Sequence, residues 1–170
     1  MIISITGTPG TGKSMAAKML ARKTGCDLLE LNKEIVKRRL YSSYDRKRKT
    51  FVADMAKVGK FVRQYAKGRD CVVVDSHLSH DVGAALVIVL RCRPDVLGKR
   101  LKKRGWPIAK IRENVEAERI GVISSEAKGK VFEIDTTGLA PGQTAAAMER
   151  VLKGKGKRYK GSIDWIERKG

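Results

Sequence analysis

Residues 2–14 read IISITGTPGTGKS, an apolar run that leads directly into a glycine-rich segment ending in lysine and serine. The segment matches the spacing G-x-x-x-x-G-K-[ST], in which each fixed position has a mechanical role. Glycines such as Gly10 and Gly12 lack a Cβ, so the backbone can adopt positive φ and turn its N–H groups toward a phosphate. We expect Lys13 to reach the β- and γ-phosphates of a nucleotide and the Ser14 hydroxyl to be a ligand for Mg²⁺.

The residues on either side of this loop predict a strand before it and a helix after it. Residues 15–21 contain no helix breaker, so a helix N-terminus should direct its positive dipole end at the same anion site. The alternative is a glycine-rich turn that binds nothing, but the strand-loop-helix context favours a phosphate-binding loop. The start of the chain therefore predicts a nucleotide triphosphate site.

Length and composition predict one globular domain. The chain has 170 residues, 42% of them hydrophobic, with no secretion-signal pattern and no apolar run approaching the roughly 18 residues of a membrane span. We therefore expect a soluble, cytoplasmic protein without a membrane partner. Cys26, Cys71 and Cys92 lack the paired spacing of a zinc site and the even count of a secreted disulfide framework. Cys71 and Cys92 lie in apolar, strand-like runs, and we expect both to be core thiols.

Positive charge is concentrated in three segments. The net charge is +19; residues 33–50 hold eight basic and two acidic side chains, residues 99–112 hold seven and none, and residues 153–170 hold seven and two. Such clustering is typical of proteins with a nucleic-acid or polyphosphate partner. The alternative is a surface of solvated lysines in a protein from a hot or basic-proteome source. We interpret residues 153–170 as a basic tail that is mobile over residues 153–161.

The apolar runs predict an α/β fold with a parallel sheet. Continuous apolar strands separated by helical patterns indicate right-handed βαβ units, helices on both faces of the sheet, and ligands at the carboxyl ends of the strands. The segment 33–50 is too polar for a central strand, and we expect it beside the sheet. Further strands are expected at 27–31, 71–75, 84–90 and 131–135, and helices at about 51–68, 94–104 and 108–124 and from Thr144, as the cap, to 152.

The strand at 71–75 ends in a carboxylate, Asp75, and His77 follows closely. A phosphate loop needs a second group to hold its metal, so we assign Asp75 to Mg²⁺, partly through water. The alternative is an aspartate that only starts a turn. As a neutral imidazole, His77 could orient a water for ATP hydrolysis or touch the second substrate; it could equally be a loop histidine whose hydrogen bonds are satisfied.

Arg100 and Arg104 precede a helix breaker at residues 105–107. Arginines in this position suit a small lid that closes over ATP and neutralises charge on the transferring phosphoryl group, although they could instead belong to the basic surface. Phosphoryl transfer depends mainly on positioning and charge neutralisation and requires no dedicated nucleophilic side chain. The candidate catalytic residues are Lys13, Asp75, His77 and Arg104.

Four motifs, at residues 7–14, 75–77, 100–106 and 135–138, carry a resemblance to a known family. The whole chain resembles the P-loop nucleoside monophosphate kinases, and more narrowly adenylate kinase isoenzyme 6, a family of small kinase/ATPases of archaea and eukaryotic nuclei. The narrow features are GTPGTGK in the loop, the Asp-x-His after the third strand, the LYSSYD stretch at 40–45 and the very short lid. The resemblance extends from Met1 to about Glu167.

The resemblance implies a three-layer P-loop fold whose five-stranded parallel sheet has the order 2-3-1-4-5. It implies one domain over residues 1–152, with a monophosphate-binding arm near 30–53 and a lid near 99–109. Asn32, Tyr44 and Asp45 are the arm residues taken as candidates for binding the monophosphate. Contacts with ATP are expected from the resemblance together with the loop and lid. They are Gly10, Thr11, Gly12, Lys13, Ser14, Met15, Arg100 and Arg104. The resemblance also implies that the backbone at Gly138 contacts the adenine.

The family's function implies adenylate kinase activity, ATP + AMP = 2 ADP, with Mg²⁺ as cofactor and ATP hydrolysis in addition. It also implies maturation of the small ribosomal subunit, with a ribosomal protein of the small-subunit platform and small-subunit rRNA or its precursor as partners. The alternative is mainly a nucleotide-gated binding factor for RNA and ribosomal protein with little kinase turnover. Two departures stand out: Ser14-Met15 replaces the more usual pair of threonines, and the arm is strongly basic where eukaryotic members carry many acidic residues.

Overall fold

The computed structural model describes residues 1–46, 50–156 and 159–166. A 3₁₀ turn at Ser79–Asp81 follows the strand that ends at Asp75. The strands are β1 (Ile2–Thr6), β2 (Asp27–Glu30), β3 (Tyr41–Asp45), β4 (Thr50–Ala53), β5 (Val72–Asp75), β6 (Leu86–Arg91) and β7 (Val131–Asp135). The helices are α1 (Lys13–Thr24), α2 (Leu31–Lys37), α3 (Met55–Ala66), α4 (Pro94–Lys103), α5 (Ile108–Arg119), α6 (Val122–Glu126) and α7 (Pro141–Leu152).

A five-stranded sheet of order β2-β5-β1-β6-β7 forms the centre of the molecule. All four pairings are parallel, and β1 lies in the middle, with Ile3 opposite Val73 on one side and Leu86 on the other. When the β3–β4 hairpin is left out of the count, this is the predicted order 2-3-1-4-5. The α/β fold class and the parallel sheet are confirmed.

Helices cover both faces of this sheet and make the three layers. On one face, Ala17 and Leu20 of α1 and Met148 of α7 pack against the sheet; on the other, α2 and α3 do so, with Val58 fully buried. Every residue of β5 and β6 is buried, which explains why these strands are apolar up to their last residues, Asp75 and Arg91, rather than alternating.

The polar segment after β2 lies beside the main sheet, as expected. It forms α2 and then an antiparallel hairpin, β3 with β4, whose Tyr41 and Phe51 rings stack 4.2 Å apart. The helix expected from Phe51 begins instead at Met55, because Asp54 caps it by accepting from the Lys57 amide. Residues 47–49, which contribute to the charge of the segment 33–50, lie outside the described residues.

Two other helix boundaries differ from the sequence-based expectation. The helix predicted over 108–124 is two helices, because the backbone turns at Gly121 with a φ of 69° between α5 and α6. The last helix starts at Pro141, which is suited to a first helical position. Its cap is Ala140, whose amide donates to Gln143, so the prediction of Thr144 as the cap was wrong.

Cys26 and Cys71 form a disulfide with a Cα–Cα distance of 4.8 Å, so the expectation that Cys71 is a core thiol was wrong. Parallel pairing of β2 with β5 begins at Asp27 opposite Val72, which places the two preceding cysteines side by side. Cys92 is a buried thiol, as predicted, and burial raises its pKa to about 11.

The chain after α7 contacts the domain at several of its described residues, while the mobility expected over residues 153–161 stays a prediction. Tyr159 forms an isolated antiparallel bridge with Phe132, and Lys160 Nζ donates to two backbone carbonyls, 2.8 and 2.7 Å away. Ile163 and Trp165 are buried. Residues 157–158 and 167–170, which contribute to the charge of this segment, lie outside the described residues. Among the helices of the described ranges, none combines the length and apolar character needed to cross a bilayer.

Candidate nucleotide site

The loop between β1 and α1 has a backbone that only glycine accommodates easily. Gly7, Gly10 and Gly12 have φ values of 135°, 98° and 95°. A Cβ on Gly7 would lie 2.3 Å from the Leu90 carbonyl oxygen, far inside van der Waals contact. Gly12 caps α1, which starts at Lys13, so the N-terminus of a 12-residue helix opens onto the loop. The result is the anion-binding geometry predicted from the spacing.

Lys13 is buried beneath the loop, where its Nζ donates to the carbonyl oxygens of Gly7 at 2.7 Å and Thr8 at 3.0 Å. Burial lowers its pKa to about 8, while the negative charges of Asp75 and Glu118 oppose this shift. The ammonium group is therefore mostly protonated at neutral pH and loses its charge as the pH rises through about 8. A cation held under the loop can interact with the phosphates of a nucleotide.

Asp75 ends β5 next to the loop, since it pairs in register with Ile5 of β1. Burial raises the pKa of this carboxyl, whereas a hydrogen bond from the Ser14 side chain and the charge of Lys13 lower it. A carboxylate and a hydroxyl in contact fit the hard oxygen ligands that Mg²⁺ takes. Within the described residues no group of three or more His, Cys, Asp or Glu side chains could hold a metal, so a cation here would depend on phosphate and water for its other ligands.

His77 lies close to this pair in the loop after β5, and its backbone carbonyl accepts from Thr6 Oγ1 at 3.2 Å. Burial, with smaller contributions from Lys13 and His80, lowers the pKa of His77 to about 4, so the imidazole is neutral at pH 7. His80 is buried, with Nδ1 3.3 Å from Thr6 Oγ1 and Nε2 3.4 Å from Glu126. Of the two histidines, only His77 lines the cavity described next.

Two cavities meet at the loop and contain most of the residues predicted for the site. The first, of about 450 Å³, is lined by Pro9, Gly10, Gly12, Lys13, Ser14, Met15, Asn32, Asp75, His77, Arg104 and Trp106. The second, of about 540 Å³, is lined by Gly10, Thr11, Gly12, Met15, Arg100, Lys103, Arg104, Thr136, Leu139, Pro141 and Thr144. Gly10, Gly12, Met15 and Arg104 belong to both, so the two cavities adjoin at the phosphate loop.

The two arginines of α4 and its C-terminal end have different surroundings. Arg100 donates from Nη2 to the carbonyl oxygens of Thr136 at 2.9 Å and Thr137 at 3.1 Å, so it holds the loop that follows β7. Arg104 is exposed at the end of α4, just before the left-handed Gly105, and borders both cavities. Arg100 is thus engaged with backbone, while Arg104 faces the space where phosphates would lie.

Three of the predicted contacts, Gly138, Tyr44 and Asp45, lie outside the lining of these two cavities. Gly138 lines a separate cavity of about 480 Å³ between β7 and α7, which shares Leu139 with the second cavity. Tyr44 and Asp45 are on the hairpin, outside the lining of both cavities, and Tyr44 packs edge-on against Phe51. Of the three arm residues, only Asn32 reaches the first cavity, where its Oδ1 accepts from Ser76 Oγ at 2.8 Å.

Sequence reasoning did not identify Glu118 of α5 as part of the site. Its side chain is buried, and its Oε2 accepts from the Thr8 hydroxyl of the phosphate loop at 2.6 Å. It pairs with Arg91, which in turn contacts Glu133. The sequence did contain one indication of a buried charged cluster: Arg91 ends an apolar strand and Glu133 lies within another. Charged residues at such positions are seldom buried without partners.

Comparison with known proteins agrees with this geometry. The model of the AAA domain family matches residues 3–121. A protein named "Putative adenylate kinase" from Methanocaldococcus jannaschii is 36% identical over 168 residues, covering 99% of this chain and 94% of that protein. Another of the same name, from Natronomonas pharaonis, is 41% identical over 172 residues, covering 98% and 99%.

Solved structures of P-loop kinases share the fold. A shikimate kinase from Bacteroides thetaiotaomicron superposes with a TM-score of 0.62 at 16% identity, covering 90% of this chain and 98% of that one. A deoxyadenosine kinase from M. mycoides, with the products dCMP and a flexible dCDP bound, gives a TM-score of 0.60 at 16% identity, covering 91% and 100%. At this identity the likeness is one of fold.

Proposed function

Because the chain belongs to the family of these adenylate kinase homologues, we propose that it is a phosphotransferase that moves the γ-phosphate of ATP to AMP and yields two ADP. The observation that carries the proposal is the convergence of Lys13, Asp75 and Arg104 on one cavity that adjoins a second at the phosphate loop. A reaction between two nucleotides needs two such spaces with the loop between them. The identity of the acceptor as AMP is supported by the names of the relatives.

On the ATP side, the loop amides and the N-terminus of α1 would bind the phosphates, and Lys13 would turn from the loop carbonyls to the β- and γ-phosphates. The base would occupy the second cavity, beside Thr136 and near the backbone of Gly138. Arg104 would approach the phosphates from α4 and neutralise charge as it develops. Arg100 would act partly by holding the loop at Thr136.

Mg²⁺, held by Ser14 and, partly through water, by Asp75, would neutralise phosphate charge when bound. Ser14 and Asp75 suit this role because they are in hydrogen-bonding contact and because a buried carboxylate keeps a strong interaction with a cation. His77, neutral at pH 7, could accept a proton or orient a water, which would give the additional ATP hydrolase activity.

On the AMP side, Asn32 borders the first cavity, and the hairpin that carries Tyr44 and Asp45 follows α2. We infer that the hairpin moves toward the cavity when the monophosphate binds, since Tyr44 and Asp45 lie outside its lining. Closure of an arm and lid around both nucleotides would exclude water and commit the γ-phosphate to AMP rather than to hydrolysis.

The test is an assay of ADP formation from ATP, AMP and Mg²⁺. Lys13→Ala should lower kcat/KM by two orders of magnitude or more, because a buried cation is removed from the transferring phosphates. Lys18→Ala is the matched control, since Lys18 is exposed on the same helix and should leave the rate unchanged. If Lys13→Ala forms ADP as fast as the unaltered protein, the proposal fails.

A second candidate function is supported by the charge distribution. We propose that the chain also acts, as the adenylate kinase isoenzyme 6 family does, in maturation of the small ribosomal subunit in the cytoplasm. Its partners would be small-subunit rRNA or its precursor and a ribosomal protein of the platform, with kinase turnover secondary. The net charge of +19 and its three clusters favour a polyanionic partner, which a kinase of small molecules does not require.

This second function can be tested by the salt dependence of binding to single-stranded rRNA fragments. In a plot of the logarithm of the binding constant against the logarithm of the salt concentration, the slope is negative. Its magnitude should decrease by roughly 0.7 for each RNA phosphate that the protein no longer neutralises. Replacing the two basic residues Lys102 and Arg112 with glutamine should therefore reduce the slope by about 1.4, and ATP should change the affinity if nucleotide gates the binding. An unchanged slope, or affinity that does not respond to ATP, would count against the second function.

A further inference from the structure

A buried cluster of three charged residues lies behind the phosphate loop. Arg91, Glu118 and Glu133 are 3%, 2% and 2% exposed, respectively. Arg91 Nε donates to Glu118 Oε1 at 2.7 Å, and its Nη1 donates to Glu133 Oε1 at 3.3 Å. A buried carboxylate without partners lowers the stability of the fold. We therefore expect Glu118 and Glu133 to hold their hydrogen-bond donors firmly.

The C-terminal segment, residues 159–166, is fastened to this cluster. Its backbone is held at Ile163, whose N–H donates to Glu133 Oε2 at 2.8 Å and whose carbonyl accepts from Arg91 Nη1 at 3.1 Å. Its indole is held as well, since Trp165 Nε1 donates to Glu118 Oε1 at 3.2 Å. The apolar parts of Ile163 and Trp165 are buried, so the segment is docked by both packing and polar contacts.

The other oxygen of Glu118 contacts the phosphate loop. Its Oε2 accepts from Thr8 Oγ1 at 2.6 Å, while the Thr8 carbonyl accepts from both Lys13 Nζ and Thr11 Oγ1. A single carboxylate therefore joins the C-terminal segment to the residue whose carbonyl holds Lys13. The Cys92 amide also donates to Glu118 Oε1 at 3.0 Å, which fixes the carboxylate at the end of β6.

We propose that Glu118 is a positioning residue for the phosphate loop and that the C-terminal segment sets its position through Trp165. The inference rests on ATP binding at the loop, the first step of the proposed function. When Lys13 turns toward phosphates, the Thr8 carbonyl loses a donor, and the loop is then held in part by the Thr8–Glu118 hydrogen bond. A change in the conformation of the loop should therefore change the surroundings of Trp165. Conversely, removal of the hydrogen bond from Trp165 to Glu118 should change the position of the loop.

Trp165 itself provides the first test. The chain has two tryptophans, so Trp106→Phe leaves Trp165 as the sole indole emitter, and the affinity of this variant for Mg-ATP is measured separately by calorimetry. Addition of Mg-ATP should change the emission of Trp165. If calorimetry shows binding and the emission is unchanged, the coupling is refuted. If no ATP binds to the unaltered protein, the proposed function itself fails, which is a distinguishable outcome.

Thr8 provides the second test because two replacements separate its hydroxyl from its shape. Thr8→Val keeps the volume but removes the donor to Glu118, and it should weaken Mg-ATP binding by about 10-fold, as expected for a hydrogen bond to a charged group. It should also abolish the emission change of Trp165. Thr8→Ser, which keeps the hydroxyl, should restore both. Equal affinity of Thr8→Val and the unaltered protein would overturn the proposal.

The third test starts from the other end of the connection. Trp165→Phe keeps an aromatic ring in place but removes the Nε1–H donor, and it should raise the KM for ATP several-fold with little change in kcat. Tyr159→Phe, in the same segment but packed on Phe132 away from Glu118, is the matched control and should leave the KM unchanged. If Trp165→Phe lowers only the melting temperature and not the ATP affinity, the contact is structural and the proposal is wrong.

Discussion

The disulfide between Cys26 and Cys71 closes a loop that contains β2, α2, the hairpin and α3. Its sequence separation is 45 residues, for which the chain-entropy model gives a stabilisation of about 4 kcal/mol at 25 °C. In a chain of this length, 1 kcal/mol corresponds to about 2–4 °C in melting temperature. Reduction, or replacement of both cysteines by serine, should therefore lower the melting temperature by about 10 °C.

The measurement is thermal unfolding followed by circular dichroism at pH 7, with and without a phosphine reductant. The Cys26→Ser/Cys71→Ser variant is the control, because the reductant should not lower its melting temperature further. Thiol titration in denaturant checks the bond directly: the unreduced protein should show one reactive thiol, Cys92, and the reduced protein all three cysteines. Three thiols before reduction, or a melting temperature that does not respond to the reductant, would refute this reasoning.

Three further predictions follow from the site. ATP affinity should fall as the pH rises through about 8, because Lys13 loses its charge there. Calorimetric titrations with ATP between pH 6.5 and 9.5 would measure this decline. The Lys13→Arg variant, whose side chain stays charged, should lack it. Asp75→Asn should lower kcat by about 100-fold or more and raise the Mg²⁺ concentration needed for half-maximal rate, as measured by ADP formation. Gly7→Ala should lower the free energy of unfolding, measured by urea denaturation, by about 3 kcal/mol or more, since the φ of 135° and the nearby Leu90 carbonyl both oppose a Cβ. The control Gly138→Ala, at a position with open space around it, should lower that free energy far less.

Features encoded by contiguous residues were predictable from the sequence. The phosphate loop from Gly7 to Ser14 and the buried strands follow from local pattern, because a parallel strand covered on both faces is largely apolar and a phosphate loop has glycines at fixed spacing. Asp75 was identifiable for the same reason, as a carboxylate that ends a run of valines. The order of the strands in the sheet came from the family resemblance and not from local pattern.

Features that depend on distant pairings were not predictable in this way. Cys26 and Cys71 come together only because β2 pairs with β5, and the spacing of cysteines says nothing about strand pairing. Glu118 contacts Thr8 across 110 positions in the sequence. Docking of the C-terminal segment depends on Ile163 and Trp165, two apolar residues within a basic stretch, where the charge pattern favoured a mobile tail.

The proposed phosphotransfer is tested most directly by the stoichiometry of products. Purified protein is mixed with Mg-ATP, with and without AMP, and nucleotides and free phosphate are quantified by chromatography and ³¹P NMR. A phosphotransferase that acts on AMP forms two ADP for each ATP consumed, depends on AMP, and releases little phosphate. Consumption of ATP that gives ADP and free phosphate in equal amounts, at a rate independent of AMP, would contradict the proposal.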